Sequence, residues 1–227
     1  LSLSSPSPLQ IIFVDSHLVA VYKPAGWLTQ SDAPDTPNLL EATRQWIKTE
    51  YKKPGNVYLG LVHRLDRPVS GVVLFARTSK AAGRISQQFR ERTVRKVYRV
   101  CVAGVPENSE ASLVHYLRKE KSLKATVFPR PTPDAKKAEL DYRVVTAGSQ
   151  ASELEIILRT GRFHQIRAQL AFVGHPVVGD QKYGSVRALP EQQIALYARQ
   201  LKLQHPITQE EIVIESPAPP GWPFIKF

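Results

Sequence analysis

His63-Arg64-Leu65-Asp66-Arg67-Pro68-Val69-Ser70-Gly71 runs directly into an apolar segment, Val72-Val73-Leu74-Phe75-Ala76. The apolar run is short, with β-branched and aromatic residues, which predicts a buried strand, and Pro68 to Gly71 predicts the turn that enters it. Asp66 therefore rides on a turn leading into the core, with Arg64 and Arg67 on either side. A carboxylate on an ordinary surface turn sits in water without cationic neighbours. This one invites an ion pair and a held geometry, as active-site carboxylates often have.

The rest of the chain frames that stretch. Its 227 residues are 42% hydrophobic, enough for a real core, and the charged fraction of 22% is ordinary. No apolar run approaches the roughly 20 residues that span a bilayer. The Ser/Pro-rich segment from Leu1 to Leu9 has no basic stretch ahead of an apolar core, so no signal peptide is expected, and the missing start Met suggests trimming. The sole cysteine, Cys101, excludes an internal disulfide, and with no signal peptide this indicates a reducing, cytoplasmic setting. The expected organisation is a flexible N-terminal segment, residues 1–9, and a single domain over residues 10–227, acting as a monomer. The net charge of +11 is localised: residues 61–137 carry seventeen Lys/Arg against six Asp/Glu, whereas residues 1–60 and 138–227 are each balanced. A concentrated excess suits a polyanion such as RNA, although a solvated basic face gives the same count.

Ile11–Val14 and Leu18–Tyr22, separated by Asp15-Ser16-His17, predict a β-hairpin followed by the turn Lys23-Pro24-Ala25-Gly26, whose lysine faces a phosphate or water. Asp32 to Pro37 reads as a loop. Asn38 caps a helix to about Glu50, with Leu39, Leu40, Thr43, Trp46 and Ile47 as its apolar stripe. Thr78-Ser79 caps a second helix, Lys80 to Arg92, burying Ala81, Ala82, Ile85 and Phe89. Val94 to Val102 alternates as a strand with Tyr98 on the inward face and Arg95, Arg99 and Cys101 on the other. Leu140, Tyr142 and Val144, then Leu154, Ile156 and Leu158, predict antiparallel neighbours. Thr160 to Arg167 opens a helix running to Val173, which places Arg167 in its second turn, on the flank of a stripe made by Phe163, Ile166, Leu170 and Val173. An arginine so placed needs a carboxylate or phosphate partner. Gly179 to Gly184 is a Gly-bounded loop, Leu196–Leu203 and Glu211–Glu215 are strands, and a Pro-rich tail carries Trp222 and Phe224.

Walker and dinucleotide phosphate loops are missing, thiolate zinc sites are excluded by the single cysteine, and Ser70 lacks the nucleophile-elbow pattern. No two of the six histidines have close helical metal spacing, a mixed set of His63, Asp66 and His164 carries little weight, and no metal is expected. Asp66 is thus the best nucleophile or base. A neighbouring arginine would lower its pKa and keep it ionised, the state that covalent attack needs. On the residues alone a structural Asp–Arg pair fits nearly as well.

His63-Arg64-Leu65-Asp66, with Ser70-Gly71 and the strand behind it, closely resembles the signature of the RluA-type pseudouridine synthases. Tyr22-Lys23-Pro24-Ala25-Gly26, Phe89-Arg90-Glu91-Arg92 through Lys96-Val97-Tyr98, and Gly161-Arg162-Phe163-His164-Gln165-Ile166-Arg167 resemble further family elements. Gly174-His175-Pro176, Gly179-Asp180, Tyr183-Gly184 and His205-Pro206 follow in family order. The match covers about residues 10 to 216. It departs at Val69, where the family usually has Thr, and at Gln169 and Tyr197, where it often has His; none is the expected nucleophile. With about nine residues ahead of the first strand, the chain resembles members that lack a small N-terminal RNA-binding domain and modify tRNA or ribosomal RNA.

The resemblance implies an α+β fold, a mixed and mainly antiparallel sheet split in two halves and flanked by helices, with the active site in a basic cleft between the halves. It implies isomerisation of uridine to pseudouridine in RNA without metal or cofactor. Asp66 would begin the reaction, by attacking the sugar or base or by taking a ribose proton. Tyr98 would stack on the uracil and assist proton removal from carbon 5, and Arg167 would pair with Asp66. Arg64 would contact RNA or fill the gap of a flipped nucleotide, and Lys23, Arg67, Arg95, Lys96, Arg162, His164 and Gln165 are the other expected RNA contacts. Two rivals remain: a non-catalytic RNA-binding or RNA-folding protein with this fold, and a hydrolase using Asp66 with a second carboxylate.

Overall fold

The computed structural model describes residues 9–31, 33 and 36–224. The first eight residues of the expected N-terminal segment and part of the expected Asp32–Pro37 loop lie outside them. In chain order the elements are β1 Ile11–Val14, β2 Leu18–Lys23, α1 Leu39–Glu50, β3 Gly60–Leu61, β4 Ser70–Ala76, α2 Ser79–Glu91 and β5 Arg95–Ala103, then β6 Glu110–Lys119, β7 Ala125–Phe128, β8 Lys136–Ala147, β9 Ala151–Leu158, α3 Gln165–Phe172, β10 Leu196–Gln204 and β11 Glu211–Glu215.

Local chemistry makes the predicted elements. Asp15 Oδ1 accepts the N–H groups of His17 and Leu18, both at 2.7 Å, and so closes the β1–β2 hairpin. Asn38 and Thr78 cap α1 and α2 by accepting the N–H groups of Glu41 and Ala81. β4 is buried along its whole length, as an uninterrupted apolar run demands. β8 and β9 pair antiparallel with Leu140 opposite Leu158 and Tyr142 opposite Ile156.

Among the described residues eleven strands join one sheet, in the order β1-β2-β4-β10-β5-β9-β8-β6-β7, with β3 on β4 and β11 on β10. Every pairing is antiparallel except β4 with β10, which run parallel for two residue pairs, Tyr197 with Ser70 and Ala198 with Gly71. β10 then shifts register between Ala198 and Gln200 and pairs with β11 from Gln200 onward. The sheet is therefore split in two where the Asp66 turn enters it. Gly71 makes that junction possible: its φ is +116°, and a Cβ there would lie 2.3 Å from the Ala198 carbonyl oxygen.

Two expectations change. The helix predicted from Thr160 begins only at Gln165, because the Gln165 side-chain oxygen accepts the Thr160 hydroxyl at 2.6 Å and the Arg162 N–H at 3.0 Å, holding residues 160–164 in a turn. Arg167 consequently lies in the first turn of α3, and residues Gln165 to Leu170 are all buried. Ile166 and Leu170 pack into the main core, while Ala168 packs with Leu117, Ala125, Ala138 and Tyr183 in a second cluster. The face of β5 opposite Tyr98 is also covered: Cys101 packs with Val178, Leu189 and Ala195, against Trp222 and Phe224 of the tail. Among the described residues no helix is long and apolar enough to cross a membrane.

Candidate active site

Asp66 is held by backbone fixed on both sides. Ahead of it, the Thr29 hydroxyl accepts the Leu65 N–H and donates to the Leu65 carbonyl. After it, the Arg67 carbonyl accepts the Gly26 N–H at 2.8 Å and the Lys23 ammonium at 3.1 Å. Lys23 Nζ also donates to the carbonyls of Trp27 (2.8 Å) and Pro24 (3.0 Å). Lys23 is 0% exposed, so its expected role as an RNA contact is corrected: two of its bonds go to its own turn and the third ties that turn to the carbonyl next to Asp66. Burial drags its pKa down to about 7, against the pull of Asp66 and with the push of Arg67. Arg67 is likewise engaged with protein, its Nε donating to the Gly26 carbonyl at 3.0 Å.

Arg167 reaches this turn from α3. Its Nε and one terminal nitrogen grip Asp180 in a fork, at 2.6 and 2.9 Å, and the other terminal nitrogen donates to Asp66 Oδ2 at 3.2 Å. Burial would lower the Arg167 pKa, but Asp180 and Asp66 together raise it. Asp180 is 1% exposed, and its role was not read from the sequence. The available signal was an acid between Gly179 and a polar loop, just past the stop of the arginine's helix. The Asp66 side chain remains 27% exposed. Burial of the rest raises its pKa, outweighing Arg167 and Lys23, with Asp180 adding to the rise. Arg167 lowers the Asp66 pKa as expected, but desolvation is the larger effect and the net shift is upward.

The carboxylate opens onto a cavity of about 540 Å³ at the split in the sheet, lined also by Arg64, Lys96, Tyr98, Arg162, His164 and Gln165. Tyr98 forms an apolar wall with Leu158 and Leu196, and burial together with the Asp66 charge pushes its phenol pKa upward. It is a neutral phenol, suited to stacking and poorly suited to act as a phenolate base. Arg64 is exposed at the rim, and Arg90 and Arg92 add to the cationic lining. Burial and Arg92 lower the Lys96 pKa to about 8. Arg162 donates its Nε to the Lys137 carbonyl at 2.9 Å. Gln165 reaches the cavity wall, yet its amide is used by Thr160, Arg162 and the Glu139 carbonyl, so it shapes the turn. Arg95 does not face this cavity: it is on the opposite side of β5 from Tyr98, beside a second depression with Arg92 and Arg159.

Both histidines of the two motifs are neutral. His63 accepts the Leu74 N–H on Nε2 at 2.9 Å and stacks on Phe89; burial, then Lys96, lower its pKa to about 3. His164 Nε2 lies 3.6 Å from Asp66 Oδ2. Among the described residues no three His, Cys, Asp or Glu side chains gather to hold a metal.

Residues 17–172 match the family model described as RNA pseudouridylate synthase. The chain is 31% identical to tRNA pseudouridine synthase C of Salmonella typhimurium, over 94% of this chain and 87% of that one. It is 31% identical to ribosomal large subunit pseudouridine synthase D of Zymomonas mobilis, over 93% of this chain and 70% of that one. In fold it is similar to human RNA pseudouridylate synthase domain containing 4, with a TM-score of 0.78 and 23% identity over 93% of this chain and 89% of that one.

Proposed function

The chain belongs to the RNA pseudouridylate synthase family, and we propose that it isomerises uridine in tRNA or ribosomal RNA with Asp66 as its catalytic carboxylate, residues 10–227 acting as one catalytic domain. The observation that carries this reading is the placement of Asp66: a partly desolvated carboxylate, bonded to buried Arg167, at the wall of a basic cavity beside Tyr98.

The uracil must leave its nitrogen link to the ribose, turn, and rejoin through carbon 5. Asp66 starts this from its ionised form, either by attacking the substrate or by taking a ribose proton. Tyr98 supplies the surface on which the detached base stacks while it turns. Arg167 holds Asp66 by one nitrogen while Asp180 fixes the rest of its fork, so the carboxylate keeps one orientation. A uridine buried in a helix has to be extruded to reach the cavity, at a cost of a few kcal/mol that stacking and phosphate contacts offset. Arg64, Arg90 and Lys96 at the cavity have no ion-pair partner among the described residues, which suits phosphate binding. A hydrolase reading loses support from the same geometry: Asp180 is a second carboxylate, but both its oxygens are bound by Arg167 and it is closed to solvent.

The test is tritium release from tRNA and ribosomal RNA labelled at uridine carbon 5. Release by the wild type and none by Asp66→Asn is expected. Absence of release from any cellular RNA, with RNA still bound, would instead favour a non-catalytic binder, and free uracil as product a hydrolase.

A further inference from the structure

His164 is placed with more care than a general RNA contact requires. It is a non-glycine residue with a φ of +51° at the start of α3, and its ring stacks on Phe163 with centroids 3.8 Å apart. Its Nδ1 lies 2.9 Å from the Tyr183 hydroxyl. That hydroxyl accepts the backbone N–H of Ala125 on β7 at 2.7 Å. Were His164 protonated on Nδ1, the Tyr183 oxygen would receive two N–H groups, and its own hydrogen would have no acceptor among the described residues. Placing the hydroxyl hydrogen on Nδ1 satisfies all three groups. His164 then carries its proton on Nε2, the atom 3.6 Å from Asp66 Oδ2. Burial, then Arg167, Lys182 and Lys119, lower the His164 pKa to about 3, so the ring is a neutral donor across the working range. Burial also raises the Tyr183 pKa, so its hydroxyl keeps the proton it donates.

We propose that His164 is a positioning residue for Asp66, its Nε2–H aimed at the carboxylate by a relay from the Ala125 amide through the Tyr183 hydroxyl, and that this contact closes to hydrogen-bond distance when RNA fills the cavity. The inference rests on Asp66 being the catalytic carboxylate. A gap of 3.6 Å is too long for a hydrogen bond in the free protein, and catalytic contacts commonly tighten only once substrate is bound. Arg167 and His164 then approach the same oxygen, Oδ2, leaving Oδ1 for chemistry. The other groups facing Asp66 are Lys23 from β2, Tyr98 from β5 and Asp180 from the loop after α3.

The orientation has a readout independent of turnover. Two-dimensional ¹⁵N–¹H spectra of the imidazole should show His164 as the Nε2–H tautomer from pH 5 to 8, and Tyr183→Phe should mix the tautomers. An Nδ1–H ring, or titration near pH 6.5, would overturn the proposal. Turnover tests the contact through two variants with the same backbone cost at φ +51°. His164→Met should lower kcat about tenfold with KM unchanged, and should move the acid limb of kcat to higher pH, because the ionised carboxylate loses a donor. His164→Gln, which restores an N–H, should recover most of kcat. Equal kcat in the two variants, with Asp66→Asn inactive, overturns the relay alone. Full activity in Asp66→Asn overturns both the relay and the catalytic reading beneath it.

Discussion

Two arginine–carboxylate forks lie on opposite faces of β5, and they differ in what is left over. On the face away from the cavity, Arg99 donates through Nε and a terminal nitrogen to Glu153 Oε1, at 3.0 and 2.7 Å, and Trp222 Nε1 donates to the same oxygen at 2.9 Å. The tail closes that fork. On the Tyr98 face, Arg167 spends two nitrogens on Asp180 and keeps one for Asp66, which remains partly open to the cavity. Burying ion pairs costs desolvation that their attraction barely repays, so neither fork is a strong argument for stability. What separates them is the spare donor and the carboxylate it holds at a cavity wall.

Asp66→Asn is the sharpest way to break the asymmetry. Tritium release should fall by at least ~10³-fold, the scale of losing a positioned base or nucleophile, while the thermal midpoint at pH 7 does not fall. The sign follows from the raised Asp66 pKa. Ionising this group costs stability above its folded-state pKa, and below its unfolded pKa, about 3.9, both states hold the proton and the cost vanishes. The stability of Asp66→Asn relative to wild type should therefore be greatest near pH 7 and shrink on acidification.

Arg167→Lys keeps the charge and loses the fork. Turnover should drop about 10²-fold, with about 1–3 kcal/mol lost in urea unfolding as buried Asp180 oxygens lose donors. Arg99→Lys should cost a similar amount of stability and leave turnover within about twofold. If both variants lose turnover equally, the distinction between the two faces fails. The pH profile gives the next effect: wild-type kcat should fall on acidification with a midpoint above the ordinary Asp range, because desolvation outweighs Arg167 and Lys23. A midpoint below that range would mean the arginine dominates. Smallest is Trp222→Phe, which removes one donor from Glu153 and should cost about 0.5–1.5 kcal/mol without changing turnover.

Much of the fold was legible along the chain because its causes are local. The alternation of Leu140–Val144 and Leu154–Leu158, the caps at Asn38 and Thr78, and the unbroken apolar run of β4 each follow from neighbours within a few residues. The start of α3 is not legible in the periodicity because its cause is a side chain: Gln165 turns back on Thr160 and Arg162 and removes a turn of helix. From the turn alone the Lys23 side chain faces a phosphate or water, and the motif resemblance adds it to the expected RNA contacts. Its own turn curls the Pro24 and Trp27 carbonyls onto the ammonium, and the approach of the Arg67 carbonyl from 44 residues away completes the set and buries it.

The order of residues singles out Asp66 as a candidate and, through motif resemblance, points to the family and to Tyr98 and Arg167 as expected neighbours, and the structure brings Arg167 to Asp66 and Tyr98 to the same cavity. The order alone could not say that Arg167 is held first by Asp180, that Lys23 is a buried tie under the Asp66 loop, or that desolvation outweighs the cations around that carboxylate. Those facts depend on which segments meet where β4 and β10 part, and on how much water the meeting excludes. Periodicity and capping act over a few residues; solvent exclusion and the completion of a guanidinium fork act between segments apart in the chain, and exist only once those segments have packed together on the sheet.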